Sequence, residues 1–262
     1  MKLRLRHTKL GKVRFTSSRD AARIWERALR RAGLPVALSE GFTPRPKISF
    51  GLALPTGAES VAEYVDIDLR PDISAADLGL DSLAGRRAFT EGLSAALPIG
   101  FDVVVVAERP AGAGSLQDSV TTCTWEFWHP RLTTEDHRRA CQLMAADTLV
   151  IERERKGKLS TDDVRPLILD LFTKFAGSDI AAGREGDGSV LVADLSTVGR
   201  GLRLSEFAEL AYPGHDARDV RAMRTHQWTE GPDGRREVLD APDADLAVAG
   251  PAGIAPLAEA PA

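Results

Sequence analysis

Within its first 32 residues the chain changes periodicity, and that change limits what it can fold into. Residues 2–7 alternate, with Leu3 and Leu5 on one side and Arg4 and Arg6 on the other, the pattern of a half-buried strand. Lys9-Leu10-Gly11-Lys12 reads as a turn, and Val13-Arg14-Phe15-Thr16 resumes the alternation. Ser17 or Ser18 can cap a helix whose first turn holds Asp20, where the helix dipole favours an anion. Ala21, Ile24, Trp25, Ala28, Leu29 and Ala32 then follow helical spacing, so a helix is expected over 19–32, stopped by Gly33 and Pro35. An extended stretch around Pro44 and Pro46, a strand over 61–69, a weak helix over 88–97 and a strand over 101–106 complete the order β-α-β-β-α-β. That order is the split βαβ of a ferredoxin-like sandwich.

A Pro/Gly/Ala linker, residues 109–115, follows. Beyond it the pattern predicts a strand over 120–128, a helix over 133–146 and a short strand at 149–151. A helix is expected over 162–175 with Pro166 in its first turn, then a strand over 190–195 and a helix over 204–211. The fold class expected is α+β: two tandem ferredoxin-like domains, antiparallel sheets with helices on one face. Residues 1–110 would form a basic domain and 116–236 a second, degenerate one. Residues 237–262 have few large apolar side chains and read as a disordered tail.

Charge is segregated along the chain. Residues 1–50 hold thirteen Lys/Arg against three acids, a net of +10, while the whole chain carries −4. Such asymmetry concerns partners rather than fold, and a concentrated positive field suits a polyanion such as RNA. An acidic protein surface, or the chain's own acidic part, is the alternative. Arg19, Arg23, Arg27 and Arg31 lie four apart on the helix and form one stripe, with Arg30 beside it. The planar guanidinium fork favours phosphate or carboxylate. Lys9, Lys12 and Arg14 add cations before the helix. Thr43, Arg45, Lys47 and Ser49 would alternate with Phe42, Pro44, Pro46, Ile48 and Phe50, a cationic face backed by an aromatic one. The candidate RNA-binding set is therefore Lys9, Lys12, Arg14, Arg19, Arg23, Arg27, Arg30, Arg31, Phe42, Arg45 and Lys47.

Catalytic patterns are scarce. The five histidines have no metal-ligand spacing, and no phosphate-binding glycine loop or nucleophile motif occurs. His7 reads as a surface strand residue that could act as a general base. Glu63, Asp66 and Asp68 read as a solvated strand face or an acidic counterpart to the arginine stripe. Cys123 and Cys141, far apart and outside any CxxC, read as buried thiols of a reducing compartment. The glycines around Arg200 suggest backbone that approaches something closely. With no spanning apolar run and no signal-like N-terminus, the expectation is a cytoplasmic protein without cofactor or metal.

The runs Lys12-Val13-Arg14-Phe15-Thr16-Ser17, Glu26 to Ala32, Leu34-Pro35, Gly41-Phe42-Thr43-Pro44-Arg45-Pro46 and Glu63-Tyr64-Asp66 resemble the radical-SAM-linked proteins of unknown function. Those are fused to the C-terminus of a radical SAM protein or, in actinobacteria, stand alone beside one. Members often carry a His where this chain has Ser18. The resemblance covers about residues 1–200 and implies a radical SAM protein as partner, with the iron–sulfur site on that partner. Together with the charge, it leads to the expectation of a non-catalytic accessory protein binding RNA in a modification or maturation pathway. A metal-independent endoribonuclease and a protein-binding scaffold are the alternatives.

Overall fold

The computed structural model describes residues 1–155, 157–175, 188–232 and 234–239. The strands are β1 (Lys2–Lys9), β2 (Ile48–Phe50), β3 (Glu59–Asp68), β4 (Val103–Glu108), β5 (Val120–Trp128), β6 (Val150–Arg155), β7 (Lys158–Asp163), β8 (Ile168–Phe175), β9 (Ser189–Ser196), β10 (Arg221–Gly231) and β11 (Gly234–Glu237). The α-helices are α1 (Ser18–Arg31), α2 (Leu83–Ala95), α3 (Leu116–Ser119), α4 (Thr134–Cys141) and α5 (Leu204–Ala211). Nine strands form one sheet in the order β4-β1-β3-β10-β5-β9-β8, with β2 on β3 and β11 on β10, while β6 and β7 form a separate hairpin. The architecture is a mixed α+β fold on a large, mostly antiparallel sheet.

Strands from both expected domains share this sheet. The join is a parallel pairing of β3 with β10, Glu59 opposite Met223 and Ser60 opposite Arg224. The two halves repeat one pattern. In the first, β1-α1-β2-β3-α2-β4 gives the order fourth-first-third-second. In the second, β5-α4-β8-β9-α5-β10 gives the same order, with the β6–β7 hairpin inserted after α4. Arg153 of β6 docks that hairpin on α5 through Glu206, at 2.6 Å.

β3 shows why the halves cohere. Its Val65 and Ile67 enter a core with Leu3, Leu5, Trp25, Leu29, Leu93 and Phe101. Its Ala62 and Tyr64 enter the other core, with Trp125, Phe127, Leu191, Leu195 and Phe207. Each such large apolar side chain contributes about 1.5–3 kcal/mol by leaving water. A strand buried on both faces cannot leave the back of β1 wet, so Arg4 is buried and Arg6 half-buried. The expected polar face of β1 is an internal one.

Local chemistry sets the helix limits. Ser17 is the cap of α1, its Oγ accepting from Asp20 N at 3.2 Å, and Gly33 after the helix has φ +67°, a value an L side chain resists. Residues Gly11–Phe15 form a 3₁₀ turn instead of the expected strand. Residues 162–175 are the end of β7, a 3₁₀ turn and the edge strand β8, not a helix. A register shift between Ile168 and Asp170 puts the inward residues Ile168 and Leu171 three apart, which imitates helical spacing. Glu237, Val238 and Leu239, counted with the tail, are in the fold: Glu237 ends β11, and Val238 and Leu239 are buried. Residues 240–262 lie outside the described residues. No described helix is long and apolar enough to cross a membrane.

Candidate functional site

The arginine row of α1 exists as a surface. Trp25, Ala28 and Leu29 point into the core, and helical geometry then sends Arg19, Arg23, Arg27 and Arg30 outward, where all four are exposed. Arg23 leans on Asp20 at 3.3 Å. Arg19, Arg27 and Arg30 have no ion-pair partner among the described residues. Arg31 departs from the stripe: its Nη1 donates to the Ala96 carbonyl at 2.9 Å, capping the end of α2.

Other expected members point inward. Lys9 is buried in β1 with Nζ donating to the Thr16 carbonyl at 2.7 Å, and burial lowers its pKa. Arg14 lies over the Phe15 ring at 4.4 Å and reaches Glu59 at 3.9 Å. Lys12 remains exposed on the 3₁₀ turn. The segment 41–51 is not one alternating run. Pro46 pairs with Leu38, Ile48 and Phe50 pack on the first core, and Phe42, Arg45 and Lys47 stay exposed. Among the described residues no hydrogen bond or ion pair joins Phe42, Arg45 or Lys47 to α1. The structure thus gathers four of the candidate residues on one helix face and leaves four more exposed on flanking loops.

His7 is a core residue rather than a surface one. Its ring sits 4.7 Å from Trp25 and 6.0 Å from Phe101, with Nδ1 3.0 Å from the Thr8 carbonyl. Burial pushes its pKa below the usual imidazole value, opposed by the Glu63 carboxylate. The acids of β3 are partners of sheet cations, not of the α1 stripe. Asp66 takes Arg4 at 2.8 Å and Arg109 at 3.3 Å, Asp68 takes Lys2 at 3.2 Å, and Glu63 takes Arg224 at 2.7 Å. Glu237 accepts from Tyr64 Oη at 2.5 Å and from Arg6 at 3.2 Å, and burial holds its carboxyl above the ordinary range. Of the thirteen cations of residues 1–50, Arg4 and Lys9 are therefore taken up inside the fold and Arg6 and Arg14 partly so, while the other nine stay exposed.

Sequence reasoning missed the buried Arg224–Glu63 pair, because 161 residues separate the partners. The only signal was an unusual density of arginine over 194–228. There Arg200 pairs with Asp162 at 2.9 Å, Arg218 with Asp216 at 2.7 Å and Arg221 with Glu59 at 2.7 Å. Gly199 has φ +72°, so the glycine before Arg200 serves a tight bend. Cys123 is buried and Cys141 partly so, and both are free. Among the described residues no three His, Cys, Asp or Glu side chains converge as metal ligands.

The comparisons bear on the same residues. No curated protein matches the chain. A family model described as an uncharacterized protein conserved in bacteria, DUF2344, matches residues 2–193, the stretch that carries α1, the pairings of β3 with β1 and β2, and the second half as far as β9, while α5 and β10 lie beyond it. On that match the chain belongs to the DUF2344 family.

Proposed function

We propose that this protein is a non-catalytic accessory protein that holds RNA on the exposed face of α1 and works beside a radical SAM enzyme. One observation carries the RNA part: Arg19, Arg27 and Arg30 stand exposed without an acid partner among the described residues, although so many other arginines of the chain are paired. Unpaired guanidinium groups one and two helical turns apart on one face suit a phosphate backbone. Lys12, Arg45, Lys47 and the exposed Phe42 ring extend the same chemistry along the flanking loops. The radical SAM partner rests on the resemblance of the N-terminal motifs. The repeated strand order supports a finer reading of the sheet as two ferredoxin-like units joined edge to edge. The burial of His7 counts against its use as the general base of an endoribonuclease.

The test is binding of mixed tRNA and ribosomal RNA fragments to the full chain across a salt series. The expected result is an affinity that falls steeply with salt and is lost in the double variant Arg19→Glu, Arg27→Glu. Binding that ignores salt, or that survives both reversals, refutes the proposal.

A further inference from the structure

β8 ends the large sheet, and among the described residues no strand pairs with its outer edge. Its bulge lies at the start. From Asp170 to Phe175 it runs in regular register with β9, so its far side offers a row of backbone donors and acceptors. Soluble proteins blunt such an edge with charge, proline or a short strand. β8 instead leaves Leu169, Phe172 and Phe175 exposed, at 47%, 46% and 67%. β4, the strand at the opposite end of the sheet, exposes no large apolar side chain; Glu108 is its one exposed residue.

Residues 169–175 read Leu-Asp-Leu-Phe-Thr-Lys-Phe, a run that is complementary to its own reverse. Laid antiparallel against a second copy, with Phe172 opposite the partner's Phe172, Asp170 meets the partner's Lys174. Leu169 then meets the partner's Phe175, and Leu171 the partner's Thr173. Side chains directly opposite share a sheet face, where apolar pairs and pairs of opposite charge are favourable. A slip of one residue in either direction spoils the match, because Lys174 then faces a leucine, Leu171 or Leu169.

Both charges are available. Asp170 has no cation among the described residues: its Oδ1 accepts from Leu171 N at 2.9 Å, and its neighbour across the sheet is Asp194, which Arg235 holds. Lys174 Nζ reaches Glu126 at 2.7 Å, yet its side chain is 45% exposed and an ammonium has three donors to share.

We infer that two copies of this chain associate edge to edge through β8, antiparallel about a two-fold axis at Phe172, so that one sheet continues into the other. None of the α1 arginines takes part, and the inference does not rest on RNA binding. The symmetry closes the assembly at two, because each copy uses its β8 edge and the strands left outermost are the two copies of β4. The contact is small beside a standard interface of about 20–30 residues a side, so a micromolar dissociation constant is expected.

The experiment follows sedimentation of the full chain from low micromolar to several hundred micromolar. The mass is expected to rise from one chain to two and to stop there. Phe172→Lys sets like charges against each other at the axis and is expected to weaken association by about tenfold or more, with the urea midpoint in place as a check on folding. Cysteine variants, made with Cys141→Ser, test the register. Phe172→Cys is expected to form a disulfide between copies under mild oxidation, since opposite Cα atoms of an antiparallel pair lie about 4.5–5.5 Å apart. Asp170→Cys is expected to form none, its counterpart lying four residues along the partner strand, about 13 Å away. A chain that stays single at every concentration overturns the inference. So does association that ignores Phe172→Lys or grows beyond two, absence of the Phe172→Cys disulfide, or equal crosslinking by Asp170→Cys.

Discussion

Arg4 lays its guanidinium flat against the Asp66 carboxylate, Nε to one oxygen at 2.8 Å and Nη2 to the other at 2.9 Å, with the two side chains 7% and 5% exposed. Arg109 reaches the same carboxylate at 3.3 Å. Removing the acid strands two cations in a poorly hydrated place. Asp66→Ala is expected to cost about 3–5 kcal/mol in urea unfolding. Replacing Arg4 by Met and Asp66 by Leu together should recover much of that loss, since the desolvation penalty goes with the charges. A small effect of the single change would show that the pair is looser than the geometry implies.

For the α1 surface the salt dependence is more telling than the affinity. Each phosphate contact removed lowers the slope of log affinity against log salt by about one. Arg27→Gln is expected to do this and to leave the urea midpoint in place, because Arg27 is exposed and has no acid partner among the described residues. Arg31→Gln should instead lower stability slightly, because its donor caps the Ala96 carbonyl.

His226 gives the fold a defined acid sensitivity. Its ring stacks on Trp228 at 5.0 Å, and burial together with Arg6, Lys174 and Arg235 lowers its pKa to about 4, against the pull of Asp194. The folded state thus binds the proton more weakly than the unfolded chain does. The stability from keeping this ring neutral is complete above pH 6.5 and is lost as the pH falls toward 4. It amounts to no more than about 3 kcal/mol. His226→Gln should flatten the stability–pH curve over that window while the remaining slope, to which the buried His7 contributes, persists. Unfolding curves at matched ionic strength from pH 4 to 7.5 make the comparison.

Gly100 is a glycine that both its backbone and its packing require. Its φ is +97°, and a Cβ there would run into the Leu10 carbonyl oxygen and come within 2.8 Å of Val13 Cγ2. Gly100→Ala is expected to cost at least about 2 kcal/mol, strain and clash together. Gly112→Ala is the control: φ is +77° but the space is open, so only about 1 kcal/mol of backbone strain remains. Equal thermal shifts in the two variants would contradict the packing around Leu10.

The legible parts of the fold were those written in neighbouring residues. Leu3 and Leu5 against Arg4 and Arg6 announce a strand, and the spacing of Trp25, Ala28 and Leu29 with the Ser17 cap announces α1. What escaped was written between distant residues. Nothing near Arg4 says that Asp66 will neutralise it, and nothing near His7 says that Trp25 will cover it. The bulge at Ile168–Asp170 disguised an edge strand, because one extra residue turns period two into a spacing of three. The candidate surface was half legible for the same reason. A stripe on one helix is a local fact, whereas whether Lys9, Arg14 or Arg31 faces water depends on Thr16, Glu59 and Ala96.

The parallel join between β3 and β10 has a consequence for how the chain could be divided. β3 offers one edge to two strands, β2 along Val65–Ile67 and β10 at Glu59–Ser60. A break in the 109–115 segment would leave one fragment with the Glu59–Ser60 stretch of β3 bare and another with the matching stretch of β10 bare, each the template for the other. Ala62 and Tyr64 would lose their cover at the same stroke. Such fragments are built to find each other again, which makes this loop a natural place to split the protein into two halves that report on their own reassembly.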